Sequence, residues 1–258
     1  MSETARHILL VTGCPRSGTT ALVRLLNTHP SVAIGMERYT RRLLDEHHLE
    51  ADLFTPDRFA TFVEGDCNRV SFDARATQAA CAKAQTATVI GDKSPNPVEV
   101  FEAAEAMDGE VSVIMILRSP RAVARSFQVR AERAKTDPAA AQYWPASRDY
   151  KRGIKAFNRS VEATLEFANR LRGDADLSRR VRFKVVSYED LFRNRDEADS
   201  LFAFLGIRSD DADGIAAIYE ESAVLSGMRK APLIDLAVAL WAKRRDYARA
   251  LDLAQMAA

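Results

Sequence analysis

Four short apolar runs rich in β-branched residues punctuate the chain, at Ile8–Thr12, Thr88–Ile90, Val111–Leu117 and Val181–Val186, and each reads as a strand. Between them lie helical stretches at Thr19–Asn27, Phe101–Met107 and Pro120–Arg133, with a long one around Ser147–Arg172. Strands that alternate with helices predict right-handed crossovers, and hence a mainly parallel sheet with helices on both faces. Ligands of such sheets sit beyond the carboxyl ends of the strands, so the residues that follow each run carry the functional interest. Two segments fit the alternation poorly. Thr40–Thr61 is charged and broken by Pro56, and Lys135–Ser147 is an Ala/Pro-containing connection. Each is expected to be either a loop over a site or solvated surface.

No repeat, low-complexity tract or Gly/Ser linker divides the sequence, so residues 1–258 are expected to form a single domain. Hydrophobic residues make up 47% and charged residues 28%, which excludes a disordered chain or a coiled-coil rod. Lys and Arg number 37 against 36 Asp and Glu. That balance removes any whole-protein case for nucleic acid, so an anion site has to be built locally. Cys14, Cys67 and Cys81 are odd in number and widely spaced, as free thiols of a reducing compartment are. The apolar run Ile8–Val11 is too short for a leader or a membrane span, and a cytoplasmic location is expected.

After the first strand comes Gly13-Cys14-Pro15-Arg16-Ser17-Gly18-Thr19-Thr20, which has the spacing of a phosphate loop that runs from a strand into a helix. Glycines let the backbone N–H groups curl around an anion, and the helix N-terminus adds positive potential. Thr19 stands where nucleotide hydrolases carry lysine, and a cation appears earlier, at Arg16. The competing account is an ordinary glycine-containing turn. A second anion site is suggested where Val111–Leu117 ends in Arg118, followed by Ser119 as N-cap and Pro120 as the first helical residue. Ser126 and Arg130 lie four apart on one face of the ensuing helix. That face reads either as a phosphate grip or as a solvated basic surface.

The segment Pro15-Arg16-Ser17-Gly18-Thr19-Thr20 resembles the 5′-phosphosulfate loop of sulfotransferases that use 3′-phosphoadenosine 5′-phosphosulfate (PAPS), and Arg118…Ser126 with Arg130 resembles their 3′-phosphate site. The resemblance implies an α/β fold, a P-loop-like three-layer sandwich with a mainly parallel central sheet flanked by helices. It also implies PAPS as co-substrate, with Arg16 and the Ser17–Thr20 backbone on the 5′ end and Tyr188, in Val186-Ser187-Tyr188-Glu189-Asp190-Leu191, on the nucleotide. Asn27–Arg38 is similar to the tyrosylprotein branch of the family, which implies Glu37 as general base. Glu37 also suits a helix start. His47 and His48 stay as alternative bases, while His7 and His29 read as structural. Gly91-Asp92-Lys93-Ser94-Pro95 resembles the lysine loop of bacterial and tyrosylprotein sulfotransferases, which implies that Lys93 stabilises the transferring group. In Ser226-Gly227-Met228-Arg229-Lys230, Ala231 replaces the glycine of a family motif that closes over the nucleotide. No cluster of acids and histidines asks for a metal, so none is expected.

The activity implied is sulfuryl transfer to a hydroxyl of a tyrosine, a sugar or a small molecule. The alternatives are a nucleotide or small-molecule kinase with an aberrant phosphate loop, and a non-catalytic nucleotide-binding module. The sequence gives no oligomeric state.

Overall fold

The computed structural model describes residues 7–46, 48–67, 74–209, 212–225 and 231–255, so His47, Arg229 and Lys230 lie outside the described residues. Five strands, β1 (His7–Gly13), β2 (Val32–Met36), β3 (Val89–Ser94), β4 (Val111–Leu117) and β5 (Val181–Ser187), form a sheet in the order β2-β3-β1-β4-β5. Every neighbouring pair runs parallel. β4 has the bounds its apolar run predicted. β2 is an addition: the run Val-Ala-Ile-Gly-Met is buried throughout, but it is short and follows directly on a helix end. β3 runs on past Ile90 through Gly91, Asp92, Lys93 and Ser94. Local propensity disfavours such a polar stretch, yet Gly91–Lys93 pair with Leu9–Val11 on one side and with Ile34–Met36 on the other. Ladders on both edges override the composition.

The helices follow in chain order as α1 (Thr19–Leu26), α2 (Pro56–Ala60), α3 (Ala74–Lys83), α4 (Pro97–Ala106), α5 (Pro120–Thr136), α6 (Pro138–Tyr143), α7 (Tyr150–Gly173), α8 (Ala175–Arg180), α9 (Tyr188–Leu191), α10 (Arg195–Phe204), α11 (Ala212–Leu225), α12 (Pro232–Trp241) and α13 (Arg244–Gln255). Successive strand side chains face opposite ways and build two cores. Leu9, Val11, Ile34 and Ile116 pack with α1 and α10, while Leu10, Ala33, Val113 and Met115 pack with α4, α5 and α7. The three-layer sandwich is thereby in place. No helix among the described residues is long and apolar enough to cross a membrane.

The first ill-fitting segment is packed structure, which corrects the expectation of loop or solvated surface there; Lys135–Ser147, by contrast, stays largely at the surface, with Trp144 its buried residue. Between Thr40 and Thr61 lie helical turns at Arg42–Glu46 and Ala51–Phe54 and the helix α2, and they bury Leu43, Leu49, Leu53, Phe54 and Phe59. Most of this segment's charges face solvent, but Arg42 and Arg58 turn inward to a buried network. Asp66 is buried and takes both Arg58 guanidinium nitrogens at 2.5 and 3.0 Å, with Arg42 at 3.5 Å and Arg38 at 3.8 Å. Arg38 is fully buried, donates to the Thr61 carbonyl at 2.6 Å and stacks on Phe62 at 4.6 Å. In the second segment, α6 leads to Trp144, which packs edge-on against Phe127 at 4.9 Å.

Asp66→Ala strips the carboxylate from buried Arg38. Its expected cost is about 3–5 kcal/mol, the usual penalty for leaving one partner of a buried ion pair uncompensated. Urea unfolding monitored by circular dichroism measures it, and a loss below about 1 kcal/mol would reduce the pair to the rank of a surface contact.

Candidate functional site

The loop Cys14–Gly18 leaves the carboxyl end of β1 in the centre of the sheet and enters α1. Its backbone is bent into conformations that most side chains avoid. Gly18 has φ +104° and Arg16, a non-glycine residue, has φ 74°. Gly13 has no room for a Cβ, which would sit 2.6 Å from the Ile116 carbonyl of β4. A Cβ on Gly18 would run into the Tyr188 ring, so that ring lies directly against the loop. Ser17 is buried and its hydroxyl has no hydrogen-bond partner within the protein. A buried hydroxyl without a partner is costly unless a ligand supplies one.

Three guanidinium groups converge on this loop. The Ser119 hydroxyl accepts the N–H of Ala122 and fixes the first turn of α5, which sets the positions of Ser126 and Arg130. Arg16 donates through Nε to the Ser126 hydroxyl at 3.0 Å, joining the two anion-site motifs into one surface. Arg118, at the tip of β4, donates to the Arg16 carbonyl at 3.4 Å and lies over the Tyr188 ring at 4.1 Å. Its Nε is buried with no partner. Burial pushes the Arg16 guanidinium down to about 10, and the charges of Arg130 and Arg118 add to the effect. A bound anion would relieve that burial and repulsion, so these three groups could hold one. Tyr188 opens α9 behind Ser187, whose hydroxyl accepts the N–H of Asp190. Glu189 accepts the Ser119 N–H at 3.1 Å and ties the β5 and β4 ends together.

One strand over, Lys93 of β3 is buried and its ammonium contacts the Glu37 carboxylate at 2.9 Å. Glu37 follows β2 with φ 62°, a left-handed conformation that costs a non-glycine residue of order 1 kcal/mol or more. Its N–H donates to the Lys93 carbonyl at 2.9 Å. The next two N–H groups, of Arg38 and Tyr39, donate to the two oxygens of buried Asp92 at 3.1 and 2.9 Å. Asp92 therefore holds the turn that presents Glu37. Gly35 is required beside it, because a Cβ there would meet Asp92 Oδ1 at 2.8 Å.

A profile of the sulfotransferase family matches residues 9–211, four-fifths of the chain and all of the residues just described. The chain belongs to the sulfotransferase family. Its fold is similar to the crystal structure of a sulfotransferase from Alicyclobacillus acidocaldarius, with 20% identity, a TM-score of 0.56 and coverage of 97% of this chain and 96% of that one. Weaker similarity extends to the sulfotransferase domain of the Synechococcus PCC 7002 olefin synthase, at 17% identity over 93% and 95% of the two chains with a TM-score of 0.47. The mouse sulfotransferase SULT7A1 complexed with PAP matches at 14% identity over 90% and 74%, with a TM-score of 0.44. No curated protein sequence matches the chain.

Within this sulfotransferase, the predicted residues fall into two groups at the carboxyl edge of the sheet. Pro15, Arg16, Ser17, Gly18, Thr19, Thr20, Arg118, Ser126, Arg130 and Tyr188 surround the β1 loop, and Glu37 and Lys93 form a contact pair beyond β2 and β3. His48 is exposed, with its N–H directed at the Arg42 carbonyl. His7 and His29 are structural, as expected: His7 Nε2 is 2.5 Å from the Ser112 hydroxyl, and His29 accepts the Ser31 N–H. The three cysteines are unpaired, and burial pushes the Cys14 thiol up to about 12, so it is inert. Asp92 is the residue that sequence reasoning missed. Its one signal is a carboxylate between apolar Ile90 and Lys93, where a buried strand normally excludes charge.

Burial raises the Asp92 carboxyl from 3.8 to about 6, against the lowering influence of the N–H groups it accepts. The folded protein then holds this proton more tightly than the unfolded chain does. The group's contribution to stability is full below about 4 and lost as pH rises through about 6, a change on the order of 2–3 kcal/mol. The destabilisation caused by Asp92→Asn is expected to shrink between pH 4.5 and 7. Paired urea titrations at those pH values measure it, and a penalty that grows with pH would contradict the sign.

Proposed function

We propose that this chain is a single-domain, PAPS-dependent sulfotransferase that sulfates a hydroxyl group with Glu37 as general base. The observation that carries the reading is the convergence of Arg16, Arg118 and Arg130 on a loop with a partnerless buried hydroxyl at Ser17. Such a cluster fits a ligand with two anionic ends, the second of them read by the Ser126 side of α5. PAPS, when bound, supplies the sulfuryl group and a 5′-phosphate leaving group. Arg16 and the N–H groups from Ser17 to Thr20, between Pro15 and the helix start, would hold the 5′ end. Arg118 and Ser126, with Arg130, would hold the 3′-phosphate, and Tyr188 would pack on the nucleotide.

The chain's own part in the reaction is positioning and charge. Glu37 accepts the acceptor's hydroxyl proton on a carboxylate oxygen while the acceptor oxygen bonds to sulfur. Lys93 offers its ammonium to the phosphate oxygen from which sulfur departs, and until then its contact with Glu37 orients the carboxylate. The left-handed turn at Glu37, held by Asp92, keeps the base at a fixed position rather than on a mobile side chain. Three unpaired cysteines suit a reducing, cytoplasmic setting.

Two outcomes are expected. Adenosine 3′,5′-bisphosphate binds at least about tenfold more tightly than adenosine 5′-monophosphate, since one charge-assisted contact contributes roughly 1.5–3 kcal/mol. Arg118→Ala removes most of that difference in calorimetric titration, and equal affinities in the unaltered protein would sink the 3′-phosphate assignment. Glu37→Gln leaves bisphosphate affinity nearly unchanged and lowers transfer of labelled sulfate by about 10²–10⁴, the usual effect of losing a general base. Near-full turnover in that variant would pass the role to another group, His47 and His48 being the first to test.

A further inference from the structure

A cavity of about 610 Å³ opens beside the loop, and its walls come from α4, α5, α7 and the strand-end turns. Pro15 of the phosphate loop lines one side. Pro95 and Asn96, which directly follow the Lys93–Ser94 end of β3, line another, and Asn96 is anchored there by donating to the Ser94 hydroxyl at 2.9 Å. A molecule in the cavity abuts Pro15 of the loop and the Pro95–Asn96 turn, two and three residues beyond Lys93. The floor is buried Phe127, and the outer wall at Pro145–Arg148 is fixed by the Trp144 indole N–H donating to the Arg148 carbonyl at 2.9 Å.

The remaining wall is cationic. Arg152, Lys155 and Arg159 follow one another at helical spacings of three and four along α7, so one face of that helix points all three at the cavity, and Arg148 joins them from the preceding turn. The lining contains one carboxylate, Glu99, which lies 3.5 Å from Arg159 and offsets that charge alone. Asp149, the nearest acid in sequence, is engaged as the cap of α7, accepting the N–H groups of Lys151 and Arg152. This is not a by-product of a basic protein, because cations and anions are balanced at 37 to 36 over the whole chain.

We propose that this cavity is the acceptor pocket and that the acceptor carries an anionic group, a carboxylate or a phosphate, in addition to the hydroxyl that is sulfated. The volume suits a small molecule or a single terminal unit of a larger one. Arg152 and Lys155 recognise the anion, with Arg148 at the rim, while the hydroxyl lies toward Pro15 of the loop and the Pro95–Asn96 turn that follows β3. The same positive wall selects against cationic acceptors by repulsion. The assignment rests on the sulfotransferase reading above, but it concerns a separate surface, so the two are tested apart.

The test uses the full chain and three matched sets of hydroxyl compounds: 4-hydroxyphenylpropionate with its methyl ester and tyramine, glucuronate with its methyl ester, and glycerol 3-phosphate with glycerol. Binding of each is followed by ligand-observed NMR, with and without adenosine 3′,5′-bisphosphate, and transfer is followed with labelled PAPS. The acid is expected to bind at least about fivefold more tightly than its neutral partner in one or more sets, since two or three exposed charge pairs act together. The carboxylate and phosphate arms identify the preferred anion. Arg152→Gln combined with Lys155→Gln should abolish the preference without changing bisphosphate affinity. Neutral compounds or tyramine bound as well as the acids, a preference that survives the double substitution, or no acid bound at millimolar concentration would each overturn the proposal. Failure to bind the bisphosphate with the acid preference intact would overturn the nucleotide reading instead.

Discussion

Like charges repel, and the carboxyl edge of this sheet holds three guanidinium groups together around one loop. Arg16 feels both burial and its neighbours Arg118 and Arg130, and its charge is disfavoured accordingly. The fold sustains the arrangement with rigid supports. β1 and β4 are central strands, Ser119 caps α5, and Glu189 joins the turn after β4 to the turn after β5. Tyr188 offers Arg118 the face of its ring in place of a carboxylate. A preorganised cation cluster of this kind is unfavourable alone and becomes favourable when an anion arrives, so its cost is met during folding rather than at binding.

The neighbouring Glu37–Lys93 pair is organised by a different device. Glu37 sits in a conformation that L-residues disfavour, and nothing in its own sequence asks for it. Asp92 takes the two following N–H groups and Lys93 takes the side chain. The turn is thereby fixed at both its backbone and its carboxylate. Farther from the site, Arg38 extends the anchoring into a buried network with Asp66, so the turn that carries Glu37 is tied to the packed interior.

Charge distribution links both features to the cavity beside them. The chain as a whole is nearly neutral, yet cations are gathered at the loop and along the first turns of α7 while carboxylates are engaged in caps and ion pairs elsewhere. Focusing of that kind raises the local concentration of anions at a cleft without making the whole surface adhesive.

Much of the architecture was legible in the sequence because it rests on local signals. The apolar run Val111–Leu117, the glycines of the β1 loop and the Ser119-Pro120 helix start each carry their meaning in a few adjacent residues, and the structure places them as read. The strand β2, the polar half of β3 and the packed course of Thr40–Thr61 were not legible. Their conformations depend on partners far along the chain: ladders on both sides of Gly91–Lys93, and a single buried aspartate collecting arginines from three turns. The sequence by itself determined the fold class and the family, since strand–loop–helix punctuation and motif spacing are short-range facts. Only the tertiary structure decided that Arg16 meets Ser126, that Lys93 meets Glu37, that Asp92 supports the turn between them, and that a cationic face of α7 looks into the cavity. Each of those depends on how distant segments converge at one edge of the sheet, and that convergence is set by packing.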